Sequence, residues 1–318
     1  MSTYIVRRLL GAIPLLLVIT FISYALMGLA PGGPTAILTR EAHAMPPAAR
    51  AHLIALLGLD RPWYVQYFYW LGALVHGSLG TSYVDGRPVL EKILEKLPVT
   101  LGLIVFSQVL TLLIAIPTGV IAAVRRNSLF DHVSTIVAFL AYGFPVFWLG
   151  LIFIDVFALH LRWLPAAGYA SLGHEHDPLD HLRHLILPAV TLAIVSLASW
   201  IRYQRGAMLD VLGEPYVRTA RSKGLSERVV IFRHALRNAL IPTLTLLGLS
   251  LPSLVGGAYF LEYVFSIPGM GYLGLTAVFQ RDYPTVMGIT LLSAVLVVLG
   301  NLFADVAYAA ADPRVRYD

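Results

Sequence analysis

Glu214-Pro215-Tyr216-Val217-Arg218-Thr219-Ala220-Arg221-Ser222-Lys223-Gly224 is a basic, amphipathic insert between an apolar stretch ending near Tyr203 and another starting near Ala239. From Arg202 to Arg237 the chain carries Arg202, Arg205, Arg218, Arg221, Lys223, Arg228, Arg233 and Arg237 against Asp210, Glu214 and Glu227. That excess of basic residues equals the formal net charge of the whole chain, +5. Carrying Lys or Arg across a bilayer during insertion is costly, so a short basic loop between spans marks the cytoplasmic side. Inside the insert, Pro215 suits the first turn of a helix and Glu214 the positive end of its dipole. Gly224 suits the left-handed position after the helix, Lys223 complements the negative end, and Leu225 can pack back toward Ala220. These signals predict a helix of about two and a half turns at 3.6 residues per turn, too short to cross a membrane. Ser226 is placed to cap a following helix that runs through Ala239 into the next span.

Working outward, six segments have the roughly 20 apolar residues that a spanning helix requires. They run approximately over 9–30, 99–124, 133–160, 185–202, 239–260 and 284–308. Arg7-Arg8, Arg125-Arg126, the insert and Arg314/Arg316 fall on one side, which predicts that both termini are cytoplasmic. The first run exceeds the about 7–15 residues of a signal-peptide core and no small-x-small site follows it, so it reads as an uncleaved span. The reading is all-α: a polytopic membrane protein with six transmembrane helices. Residues 1–98 form a first span plus an outer amphipathic segment, and 99–318 a five-helix core with the inward loop at about 206–238.

Composition agrees. The 318 residues are 58% hydrophobic and only 13% charged, against roughly 25% charged in a soluble domain. The pI near 9.4 reflects loop charge and not nucleic-acid binding, because no stacking aromatics or recognition helix accompany it. With no cysteine, disulfides, thiolate metal sites and cysteine nucleophiles are excluded.

The outer stretch 31–98 has helix signals of its own. Pro46-Pro47 marks a start with a stop at Gly58. Pro62 marks another, whose Trp63, Tyr64, Tyr67, Phe68, Tyr69 and Trp70 precede Gly77 and suit the headgroup layer. An amphipathic run from Val89 to Leu97 leads through Pro98 into the second span. The outer loop holds His174, Glu175, His176, Asp177, Asp180, His181 and His184, which suits divalent ions by residue type, although spacing alone gives no ligand geometry and a solvated loop is the expectation. Inside the spans, Asp155 either faces a pathway or pairs within the bundle, and Asp305 lies near a membrane end where it can snorkel or find a helix partner. Ser250, Ser253, Gly256 and Gly257 put small residues around Pro252, as close helix packing or a pathway lining requires. The string Gly269-Met270-Gly271-Tyr272-Leu273-Gly274 matches a dinucleotide pattern but follows no strand and reads as a turn.

Glu214-x-Tyr216-Val217-Arg218-Thr219-Ala220-Arg221-x-Lys223-Gly224-Leu225, followed by His234-Ala235-x-Arg237-Asn238-Ala239 and Pro242, resembles the EAA-type loop of membrane subunits in the dipeptide/oligopeptide/nickel group of bacterial ABC importers. Arg7-Arg8-Leu9, Gly80-Thr81-Ser82, Phe265-Ser266-x-Pro268-Gly269-Met270-Gly271, Gln280-Arg281-Asp282-Tyr283-Pro284, Asn301-Leu302-x-x-Asp305 and Asp312-Pro313-Arg314-Val315-Arg316 extend the resemblance over nearly the whole chain. Arg218 and Thr219 stand where the general pattern has an acidic residue and alanine, a variation usual in this branch.

The resemblance implies a type I ABC importer permease fold in the cytoplasmic (inner) membrane. Glu214, Tyr216, Val217, Arg218, Thr219, Ala220, Arg221, Lys223 and Gly224 would form a coupling helix seated on a separate ATPase, with small Thr219 and Ala220 admitting the partner closely. Asp155, Ser250, Ser253, Gly256 and Gly257 are the candidate translocation path. Implied partners are a homologous second permease, two ABC ATPase subunits that bind ATP and magnesium, an external substrate-binding protein, the peptide cargo and the lipid bilayer. The chain itself has no phosphate loop, so no cofactor and no ATPase site are expected on it. Cargo stays open among dipeptides, oligopeptides, nickel chelates and glutathione, as does the presence of an outer membrane. An ion-coupled transporter using Asp155 or His160 is the rival, weakened by the lack of an inverted repeat. An intramembrane enzyme lacks any His-Glu-x-x-His or Gly-x-Ser-x-Gly constellation.

Overall fold

The computed structural model describes residues 2–30, 46, 48, 52, 54, 55 and 58–311. Most of the helix expected between Pro46 and Gly58, and the Asp312 to Arg316 end, lie outside the described residues. Among the described residues regular structure is helical, apart from one isolated antiparallel bridge between Thr81 and Pro88.

Numbered along the chain, the helices are α1 (Ser2–Leu29), α2 (Trp63–Val75), α3 (Val89–Val124), α4 (Leu129–Tyr142), α5 (Val146–Phe153), α6 (Pro178–Leu212), α7 (Pro215–Ser222), α8 (Glu227–Val229), α9 (Leu236–Val264), α10 (Met270–Phe279) and α11 (Tyr283–Ala311). Wider π-turns continue α5 over Ile154–His160 and join α8 to α9 over Val230–Ala235. Helices α1, α3, α6 and α11 are long and apolar enough to cross a membrane. The 29 residues of α9 also exceed the about 20 that a crossing needs.

The remaining span departs from expectation. Residues 133–160 read as one helix, but α4 and the α5 run meet at a bend of 100°. Gly143 ends α4, and Pro145 disfavours helical geometry at Phe144 before it restarts the chain as an N-cap. The amphipathic run at 89–97 is also not a separate piece: α3 is a continuous helix of 36 residues with Pro98 inside it.

The chain forms two compact units, one of 1–99 with 268–299 and one of 100–267 with 300–318. In the first, α2 packs on α1 through Phe21, Tyr24, Trp63 and Tyr67, with Tyr67 edge-on to Phe21 and Tyr24 at 5.4 and 5.7 Å. Tyr67 and Trp70 are buried with Met287. The aromatic helix expected to lie on the membrane therefore spends one face on α1, leaving Tyr64, Phe68 and Tyr69 exposed. In the second, α6 is the central strut, packing against α4, α5 and α9. Gly119 lets α3 and α6 touch: a Cβ there would lie 2.8 Å from Gln204 Cβ and 3.0 Å from the Ile201 carbonyl.

Candidate functional site

An isolated eight-residue helix does not persist in water, because nucleation outweighs so few propagation steps. What holds α7 is its two ends and one face. Glu214 takes the extended N-cap conformation and Pro215 follows at the first helical position. At the other end Gly224 adopts φ +78°. Its N–H donates to the Arg221 carbonyl at 2.9 Å, and that of Leu225 to the Ala220 carbonyl at 3.4 Å. That pair of bonds is the Schellman closure, which the left-handed glycine makes accessible.

The face is formed by Val217 and Ala220, both buried against Val230 with Val211 and Leu212 beside them. Burying a valine contributes about 1.5–3 kcal/mol, enough to fix so short a helix. Val211 and Leu212 also pack on a second cluster of Val120, Ala123, Met208, Ala235 and Ala239. Side chains therefore connect α7 to the ends of α3, α6 and α9 without a gap. Arg221 Nε donates to Glu227 at 2.8 Å, and Asn238 Nδ2 donates to the Tyr216 hydroxyl at 2.7 Å. Ser226 has the backbone of an N-cap, though its hydroxyl makes no capping bond.

Of Thr219 and Ala220, expected to admit a partner closely, Thr219 is exposed, whereas Ala220 is buried with Val217 and pins the helix to its own unit. The outward surface consists of Glu214, Tyr216, Arg218, Thr219, Arg221, Lys223 and Gly224, all exposed.

The same chain matches, over residues 115–317, the family described as binding-protein-dependent transport system inner membrane component, and over 1–104 that family's N-terminal part. It belongs to that family. The oligopeptide transport system permease protein AppB of Bacillus subtilis is 46% identical over all of both chains. The di/tripeptide transport system permease protein DppB of Pseudomonas aeruginosa is 41% identical, and the dipeptide transport system permease protein DppB of Escherichia coli K12 is 37% identical, each over 100% of this chain and 99% of the relative. In fold it is similar to the inward-facing MetNI methionine ABC transporter, with a TM-score of 0.58 at 20% identity over 71% of this chain and 99% of that one.

The path residues expected for this inner-membrane component fall on two elements. Asp155 is exposed in the π-turn after α5, its carboxylate 3.4 Å from His160 Nδ1. Ser250, Ser253, Gly256 and Gly257 share one broad side of α9 by helical spacing. Ser250 is half-buried and bonds the Leu247 carbonyl at 2.8 Å, and a Cβ at Gly256 would meet nothing within 4 Å. The histidine-rich loop is a local brace: Asp177 caps α6, Asp180 accepts from Ser171, and His181 stacks on Tyr169. Among the described residues no three of its groups converge as metal ligands. Gly269 opens α10, and Gly274 packs near Ile289, so the glycine string builds a helix start.

Two constellations were not anticipated as such. Arg205 donates from Nε and a terminal nitrogen to both oxygens of buried Asp131, at 2.6 and 2.7 Å, and Asp131 also accepts from Asn127 N–H. This bidentate pair ties the start of α4 to α6 about two turns before α6 ends at Leu212. In the other unit, buried Asp282 accepts from the Ser82 and Thr285 hydroxyls and from Tyr83 N–H, at 2.5, 2.6 and 2.9 Å. Lys92 joins this network, donating to Ser82 and pairing with Asp85 at 2.8 Å. Burial raises the Asp85 carboxyl, but the Lys92 and Arg87 hydrogen bonds outweigh it and hold the group below its ordinary value. The sequence pieces around Ser82 and Asp282 are thus parts of one site.

Proposed function

We propose that the chain is the membrane-spanning permease subunit of an ATP-driven ABC importer for dipeptides or short oligopeptides, working with a homologous DppC-like permease, two DppD/DppF-like ATPases carrying ATP and magnesium, and an external substrate-binding protein. The full-length likeness to relatives named as peptide permeases carries the substrate class. In this reading α7 is the coupling helix. ATPase closure displaces its outward surface, and the Val217–Ala220–Val230 contact passes the displacement through Val211 and Leu212 into α3, α6 and α9 as a rigid body. The side of α9 with Ser250, Ser253, Gly256 and Gly257, together with Asp155, lines the passage. An exposed carboxylate at membrane depth is costly unless it meets water or a partner, which favours Asp155 on the side turned to the second permease. No bond of the peptide is broken, and the termini and the basic loop lie in the cytoplasm.

Gly224→Val tests the coupling role. The left-handed conformation costs a β-branched residue about 1–3 kcal/mol, while the space beside Gly224 is open, so the change acts on the helix end and not on packing. Copurification of the ATPases should fall, or hydrolysis should continue without uptake. Wild-type assembly and transport in this variant would refute the role.

A further inference from the structure

The first unit contains a cavity of about 420 Å³ beside α2, the turn at 80–83 and the start of α11. Its size lies within the range of small-molecule sites, about 300–1,000 Å³. Three hydrogen-bond donors at its wall lack acceptors among the described residues. Trp70 lines it and is 8% exposed, yet its indole N–H is buried with no partner. An indole nitrogen only donates, so a buried one without an acceptor signals a missing group. Arg61 also lines the cavity, its guanidinium 4.5 Å from the centre of the Tyr69 ring, with no carboxylate at salt-bridge distance among the described residues. Tyr83 is the third: burial and then the neighbouring Asp282 push its phenol up to about 12, so it keeps its proton. Among the other polar side chains, exposed Tyr69 and Thr81 keep open hydroxyls, whereas those of Tyr24, Gln66 and Tyr283 are spent internally. Tyr24 donates to Gln66, Tyr283 to the Met27 carbonyl, and Gln66 to the Arg61 carbonyl. Asp282 is likewise committed to Ser82, Tyr83 and Thr285.

A wall that offers one fixed cation and two neutral donors, among aromatic rings, fits an anion attached to an apolar group. We propose that this cavity receives the terminal carboxylate of a short peptide with an apolar or aromatic last residue. Arg61 and Trp70 hold the carboxylate, and the tyrosine rings flank the side chain. The proposal rests on the peptide-importer reading and adds to it a contact with cargo outside α9.

The test uses the full permease–ATPase assembly in nanodiscs without the binding protein, probed by equilibrium dialysis with alanyl-phenylalanine and with its C-terminal amide. The free acid should bind at least about tenfold more tightly than the amide, the effect of one charge-assisted hydrogen bond. Trp70→Phe, which keeps the ring and removes the donor, and Arg61→Gln should each weaken the acid by about tenfold. Equal binding of acid and amide, no binding by the wild type, or variants that bind like the wild type would overturn the proposal. If the variants instead weaken only docking of the binding protein, the acceptor is a side chain of that protein and the cargo site is refuted. ATPase copurification is scored in the same wild-type preparation. Its absence would sink the importer reading, whereas its presence without discrimination sinks only the carboxylate site.

Discussion

At the level of single residues, the second unit depends on two tolerances that a sequence hides. Gly119 admits no side chain, since a Cβ would press on Gln204 and on the Ile201 backbone. Gly119→Leu should therefore lower thermal stability in detergent by an overpacking cost of about 1–3 kcal/mol, whereas Gly11→Leu, with open space around it, should not. Asp131 is the other. Removing its charge leaves the half-buried Arg205 guanidinium without its bidentate acceptor, and losing such a charge-assisted pair from one side costs about 1–3 kcal/mol. Asp131→Asn should approach that loss, and the Asp131→Leu, Arg205→Met double variant should recover much of it in the same melting assay. In the first unit, Tyr83 has a raised folded-state pKa of about 12 against 10. Its contribution to stability is thus fully present below pH 10 and lost as pH rises from 10 through 12, because the unfolded phenol ionises first. Wild type minus Tyr83→Phe stability, followed with pH, should decline in that window and stay flat below it.

Among the elements, α7 is the most legible, because everything that forms it is local. Pro215, Gly224 and the spacing of Val217 and Ala220 are signals within eleven residues, and the Schellman bonds close where the glycine predicts. Which way its small residues face was not legible, since that depends on Val230 and on Val211 and Leu212, fixed only by the return of α6 and α9. The break after Tyr142 was written in Gly143-Phe144-Pro145, but a continuous apolar run masked it: hydropathy reports depth in a membrane, not direction. The Asp131–Arg205 pair and the Asp282 network join residues 74 and 200 positions apart, and no local pattern encodes such a partnership. The two faces of α7 give a paired prediction. Val217→Asp buries an unpaired charge and should release the helix, making 213–226 sensitive to protease and lowering ATPase copurification while the spans keep their melting temperature. Thr219→Leu, on the outward surface, should leave protease resistance intact and weaken ATPase copurification alone. If both variants behave alike, the division into an anchored and a presented face is wrong.

For the whole molecule, the proposed importer works through a short inward-projecting helix, fixed to three spans, that receives force from a separate ATPase. The chain has no cysteine, so one thiol reports one position. In Thr219→Cys, a membrane-impermeant maleimide should react in inside-out vesicles and not in right-side-out ones, and a short bifunctional reagent should join position 219 to a nucleotide-hydrolysing subunit in the intact assembly. Labelling from the outside, or an assembly in which position 219 crosslinks to no ATPase, would contradict that coupling.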